Sequence, residues 1–200
     1  IEVFKSRKLM KGVVAKLNLN KQVFIKGRLH DTQFFPINKA PIKINFIASD
    51  SVIHKSSFSF GVLITSENTF DFIYNSKETG EEVSEKMSFG KNVPTPMGDI
   101  IITPNNKKTS NLINQLIYIK VSALDETAEK YKNSIRISSA AEGSKVINLS
   151  LNDPSGSKAI AVINNLIDEY NRISIDAKNT KANNTADFIQ KRIDLIATDL

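Results

Sequence analysis

His30 and His54 are the only imidazoles in the chain, and neither has a second imidazole or a carboxylate at ligand spacing. A protein-held metal needs three or four such donors converging on one point, so no metal site is expected. Cysteine is absent, which removes thiolate nucleophiles, disulfides and sulfur-ligated zinc together. Gly-Ser-Lys occurs twice, at Gly143–Lys145 and Gly156–Lys158. Neither copy has the glycine five positions upstream that lets a P-loop wrap a phosphate, and both read as turns. The paired acids Glu81 and Glu82 fall in a turn, and Asp168 and Glu169 on a helix face. Both pairs are expected to be solvated surface, and no nucleophile-elbow pattern G-x-S-x-G occurs to nominate a serine. Phe58, Phe60, Phe70 and Phe72 could stack bases in a sheet-based RNA binder, yet alternate aromatics on a strand are more often core, and core is the expectation here. The residues therefore nominate no catalytic, cofactor-binding or metal-ligating group. These 200 residues are not expected to form an enzyme.

The function must then lie in surfaces, and charge is where the chain is asymmetric. Residues 1–60 hold 11 Lys/Arg against 3 Asp/Glu, about +8, whereas residues 61–200 hold 16 against 18, about −2. A basic N-terminal third attracts nucleic acid, anionic lipid headgroups or an acidic polymer, and Coulomb attraction does not choose among them. The 40% apolar and 24% charged content is that of a folded globular chain. The longest apolar runs, such as Ala159–Ile163, fall far short of the ~20 residues that cross a bilayer. No signal-peptide zones open the chain.

The elements that would carry these surfaces follow from periodicity. In Lys5–Leu19 the residues Leu9, Met10, Val13, Val14 and Leu17 share one helical face, ringed by Lys8, Lys11 and Lys16, with Ser6 placed to cap. This predicts a short amphipathic helix packed on a sheet. From Gln22 to about Ile102, short runs rich in β-branched and aromatic residues alternate with Pro, Asn, Ser and Gly, which predicts strands. Lys77–Glu82 and Asn105–Lys108 read as exposed turns. Gln115–Ser122 reads as a strand, Leu124–Ser134 as a short helix with Asp125 and Glu126 at its positive end, and Val146–Leu151 as a strand.

After Asn152–Ser157 no Gly or Pro interrupts the chain to residue 200, so nothing there forces a helix to end. Asp153 is a plausible cap, with Pro154 near the helix entry. Ala159, Ile163, Leu166, Tyr170, Ile173 and Ala177 step by four and three like heptad a and d positions. The pattern lapses in Lys178–Thr185 and resumes at Ala186, Ile189, Ile193, Ile196 and Leu200. Nine residues separate Ala177 from Ala186, and at ~100° per residue a straight helix would turn the second stripe to the opposite side from the first. Either the chain bends in the Asn-rich lapse, or one helix serves two partners. The predicted architecture is α+β: a mixed β-sheet with short packing helices over residues 1–177, and over 178–200 the start of a long helix projecting from that base.

The order of these features resembles the periplasmic domain of the polysaccharide co-polymerases. These form the chain-length determinant family, and the likeness is nearest to the branch fused to bacterial tyrosine kinases (Wzc-type exopolysaccharide proteins). The likeness rests on "S-R-x-L-x-x-x-V-V-x-x-L-x-L" from Ser6 through Arg7, Val13 and Val14 to Leu19. It rests equally on the strand, Asp153–Pro154 and helix passage with Ala159, Asn164, Tyr170 and Asn171, and on "NT-x-x-F-I-x-x-R" through Thr185, Phe188 and Arg192. The middle, Phe58–Lys120, matches only in texture.

The resemblance implies a portion of an inner-membrane protein on its periplasmic side, with an α/β base between two membrane helices and a long helix that rises away from the membrane. It implies a homo-oligomeric ring that works with the polysaccharide polymerase and export machinery on a lipid-linked or growing polysaccharide, setting its length without a cofactor. The flanking membrane helices, the returning half and the cytoplasmic kinase are not among these residues, so no kinase activity attaches to them. The basic N-terminal third is expected near the anionic membrane face or on a neighbouring subunit. The competing expectation from charge is a nucleic-acid-binding module.

Overall fold

The computed structural model describes residues 2–27, 31–76, 79–105, 112–141, 144 and 146–198. His30, the core of the Asn105–Lys108 turn, Lys77 and Glu78, two residues of the first Gly-Ser-Lys copy, and Leu200 lie outside the described residues.

The fold is α+β. Its strands are β1 (Lys21–Ile25), β2 (Thr32–Phe34), β3 (Ile42–Phe46), β4 (Phe58–Ile64), β5 (Thr69–Asn75), β6 (Glu82–Ser88), β7 (Asn92–Val93), β8 (Ile100–Pro104), β9 (Leu116–Val121), β10 (Ile135–Ser139) and β11 (Ile147–Leu151). Its helices are α1 (Arg7–Leu17), α2 (Asp50–Ile53), α3 (Leu124–Ser134) and α4 (Gly156–Thr198). Six strands form one sheet in the order β2-β1-β9-β4-β5-β6, and every paired neighbour runs antiparallel. A second sheet has the order β3-β8-β7, and β10 and β11 form a separate ribbon.

Alternation decides which side of the large sheet is buried. Phe58, Phe60, Val62 and Ile64 of β4, Phe70 and Phe72 of β5, and Ile117, Ile119 and Val121 of β9 form one core with Ile42, Val93, Ile100 and Ile102 of the smaller sheet. The four alternating phenylalanines are core rings, as expected of the buried face of a strand. Phe60 and Phe72 lie 5.0 Å apart between centroids, and none of the four is open to a base.

The second core is helical. Leu9, Met10, Val13 and Val14 of α1 meet Ala128 and Tyr131 of α3 and Val162 and Leu166 of α4, with Phe4, Leu19 and Ile135 closing the cluster. The helix at Arg7–Leu17 therefore packs against two helices, α3 and α4, while the β10–β11 ribbon joins the same core through Ile135, where the sequence predicts a sheet beneath the helix. Its apolar stripe is matched as well by helix ridges as by a sheet face, and periodicity does not distinguish the two. Ser6 occupies the N-cap, but its side chain makes no capping bond, and Asn18 closes the helix at φ 51°.

α4 is one helix, unbroken through Lys178–Thr185, so the Asn-rich lapse is not a bend. Its inward residues are Lys158, Val162 and Leu166, with Ala159, Ile163, Tyr170 and Ile173 half-buried beside them, while Ala177 is exposed. From Ile175 to Leu195 every residue is exposed. The stretch from Ile173 to Thr198 reaches about 37 Å at 1.5 Å per residue. Among the described residues no helix is long and apolar enough to cross a membrane.

Candidate functional site

Several of the sequence-nominated residues converge where α1, α3 and α4 meet. Arg7 donates to Glu129 of α3 through Nε at 3.1 Å and Nη2 at 3.0 Å, and Lys11 pairs with Asp125 one turn earlier in α3. Arg7 and Lys132 together hold the Glu129 carboxyl below the usual carboxylate range, Lys132 through the larger effect. Val13 and Val14 are fully buried. Tyr170 stacks on Phe4 at 4.4 Å between centroids, which fixes the segment before α1 to α4. Gly12 lies against α4: a Cβ there would lie 2.6 Å from Oε1 of Glu169. Arg172 holds that carboxylate from the next turn of α4, Nε to Oε2 at 3.0 Å, and lowers its pKa.

Asp153 is not the helix cap. Ser155 takes that place, its Oγ accepting from the Lys158 N–H at 3.4 Å, three residues on. Asp153 accepts from the Ser155 N–H at 2.9 Å through Oδ1, and its Oδ2 lies 3.1 Å from Nζ of Lys158. Lys158 is 4% exposed, and its ammonium also donates to Oε1 of Gln33 on β2 at 2.7 Å. One buried cation thus ties the entry of α4 to the edge of the six-stranded sheet. Burial, and secondarily the Asp153 charge, pushes the neighbouring Tyr131 hydroxyl up to about 12. The second Gly-Ser-Lys copy accordingly has a structural use, in which Ser157 and Lys158 open α4.

The remaining nominated residues do not join this junction. Pro154, Asn164 and Asn171 are exposed. Thr185 donates to the Lys181 carbonyl at 2.9 Å on the far part of α4, and Arg192 lies 5.7 Å over the Phe188 ring. That far part carries Ile175, Phe188, Ile189, Ile193 and Leu195, all more than half exposed. With the helix unbroken, the stripe through Ala186, Ile189 and Ile193 faces about 180° away from the side that packs on the base.

A third feature lies on the outward face of the six-stranded sheet, and sequence reading gave no sign of it. On the central strand β4 and just before it, the outward residues Ser57, Ser59 and Gly61 are all small. Their cross-strand neighbours are long: Tyr118 and Ile73 flank Gly61, and Lys120 flanks Ser59. The missing bulk leaves a groove of about 720 Å³ along β4, walled by Tyr118 and Lys120 on one side and by Ile73 and Asn75 on the other. From Ser57 to Gly61 it runs about 13 Å at 3.3 Å per residue. Tyr118 is 44% exposed, its ring presented to solvent beside the gap. A side chain at Gly61 would begin to fill the floor and would press on Leu116, 3.0 Å from the new Cβ.

His54 ends α2, where its carbonyl accepts from the Leu124 N–H at 2.8 Å. Among the described residues no three His, Asp or Glu side chains cluster as a metal would need. No protein-family model matches the chain, and no curated protein matches it.

Proposed function

We propose that the chain is the periplasmic base and rising helix of an inner-membrane polysaccharide co-polymerase, which sets the length of an exopolysaccharide or capsule chain by assembling copies of itself into a ring. The observation that carries this reading is α4. It is anchored in the helical core from Val162 to Ile173 and continues past Ile173 for about seven turns with an apolar stripe on the side away from the base. A helix that is amphipathic where, among the described residues, it packs on nothing of its own fold is built to meet another helix. The order of the motifs, with Ser6, Arg7, Val13 and Val14 on α1 and Thr185, Phe188 and Arg192 on the exposed part of α4, supports the same reading. In that role the chain performs no chemistry. It offers surfaces to further copies, to the polymerase and export machinery, and to the growing polysaccharide.

The test is made in cells that carry the full-length protein. Ile189→Asp with Ile193→Asp places two carboxylates on the far stripe and leaves the base core untouched. The expected result is normal protein level, loss of cross-linked oligomers, and a shifted or broadened polysaccharide length distribution. Unchanged length in both this variant and the gene deletion would refute the proposal.

A further inference from the structure

We infer that the groove along β4 is a binding site for a segment of glycan chain, seated with one sugar ring against Tyr118; the inference rests on the proposed function only for the source of that glycan. The elimination starts from the lining. Lys26 and Lys120 stand against Asp31, Glu82 and Glu126, two ammonium groups against three carboxylates. A groove with that balance does not favour a polyphosphate backbone, whose binding depends on neutralising successive phosphates. An extended peptide gains most of its affinity by adding a strand to an open edge. β4 has no open edge, because β5 and β9 pair with it on its two sides. An acyl chain needs apolar walls along its length, and here serine hydroxyls, the Asn75 amide and Lys120 break the apolar surface.

What remains matches the chemistry of a sugar polymer. A pyranose presents a flat C–H face and a rim of hydroxyls. The half-exposed Tyr118 ring offers the first a surface, and the groups around it offer donors and acceptors to the second. The small residues at 57, 59 and 61 leave room along about 13 Å of strand, which suits a segment of an extended chain. The volume lies in the range of small-ligand sites.

The test titrates the protein with hexasaccharides of the gluco-, galacto-, manno- and hyaluronan types, followed by amide chemical shifts. At least one is expected to move signals of β4, β5 and β9 together, in a saturable manner. Tyr118→Ala is expected to weaken that binding roughly tenfold, the scale of one lost ring-stacking contact, and Ser59→Leu to block it by filling the floor. Both positions face outward, and a circular dichroism melt on each variant verifies folding. If no hexasaccharide shifts these strands, if both variants bind as the parent does, or if an oligothymidylate takes the same strands, the inference is overturned. None of these outcomes touches the co-polymerase reading, which is tested by the far stripe of α4 in cells. Conversely, glycan binding in vitro with no change of length control in vivo would keep the site and remove the role.

Discussion

Lys158→Met is the most informative single change in the base. The native ammonium is 4% exposed, sits 3.1 Å from Asp153 and donates to Gln33 at 2.7 Å. Methionine fills much of the same space but leaves the Asp153 carboxylate, itself only 10% exposed at the side chain, without its counter-charge. The Ser155 N–H remains as one donor, too little to replace the ion pair. Removing one partner of a buried pair costs about 3–5 kcal/mol, because the other is left charged in a medium that solvates it poorly. At about 2–4 °C per kcal/mol for a chain of this size, the melting temperature should fall by roughly 6–20 °C. Asp153→Asn in the same chain removes the stranded charge and keeps an acceptor for Ser155. The double variant should therefore recover about 2–3 kcal/mol relative to the sum of the single variants. Urea unfolding followed by far-ultraviolet circular dichroism measures all three values at constant m. A cost below about 1 kcal/mol for Lys158→Met, or additive single effects, would show that the pair is solvated and that the junction between α4 and β2 rests on packing alone.

Two further perturbations separate the parts of the molecule. Leu166→Ala empties a fully buried position between the helices and should cost about 2–5 kcal/mol, whereas Ile193→Ala, at a position 53% exposed, should stay within about 0.5 kcal/mol in the isolated chain; equal effects in urea titrations would contradict the end of packing near Ile173. Tyr131 gives a pH signature, since its pKa in the folded protein, about 12, exceeds the ordinary phenol value of 10.0. Its native environment favours the neutral phenol, so the associated stability is intact below pH 10 and is lost as pH rises toward 12, by about 2–3 kcal/mol at 1.36 kcal/mol per pKa unit. Tyr131→Phe should flatten that part of the stability curve, and an unchanged slope would assign the alkaline loss to other groups.

The sequence is most legible where one period dominates. Leu124–Ser134 is a helix over the predicted span, and β4, β5, β9 and β11 fall within the runs that alternation marks. β6 is missed because Glu82, Glu85 and Lys86 dilute its pattern. As an edge strand it needs only Val83 and Met87 inward, Glu85 reaching the Tyr74 hydroxyl at 3.2 Å, and charge on an edge discourages pairing with other chains. β10 is missed for a similar reason, since Ile135–Ser139 is too short and polar to stand out beside the helix before it. Asp153 and Lys158 are visible as residues, but nothing in the sequence marks them as a buried pair, because their burial with Gln33 depends on a fold that brings residues 125 positions apart into contact. The groove is hidden more deeply. It consists of what Ser57, Ser59 and Gly61 lack, and it becomes a channel only once the register places Tyr118, Lys120 and Ile73 beside them. The stripe at Ala159, Ile163, Leu166, Tyr170, Ile173 and Ala177 found the right side of α4 as far as Ile173 but ran on to the exposed Ala177, and it missed the buried Val162 and Lys158, the latter because a lysine held by an acid and an amide does not read as core.

The continuity of α4 makes it a shaft with a fixed phase. Between the last side chain held by the base and the far stripe there is nothing but consecutive helical turns, so the bearing of Ile189 and Ile193 is set by counting residues. Deleting one residue from the Asn-rich stretch, whose side chains are all exposed, would swing the whole outer stripe by about 100° and draw it in by about 1.5 Å. Adding seven would restore the bearing to within about 20° while carrying the stripe some 10 Å farther out. Reach and direction are thereby separable in this molecule, and the polar stretch that first looked like a break is the place where each can be reset without disturbing the fold behind it.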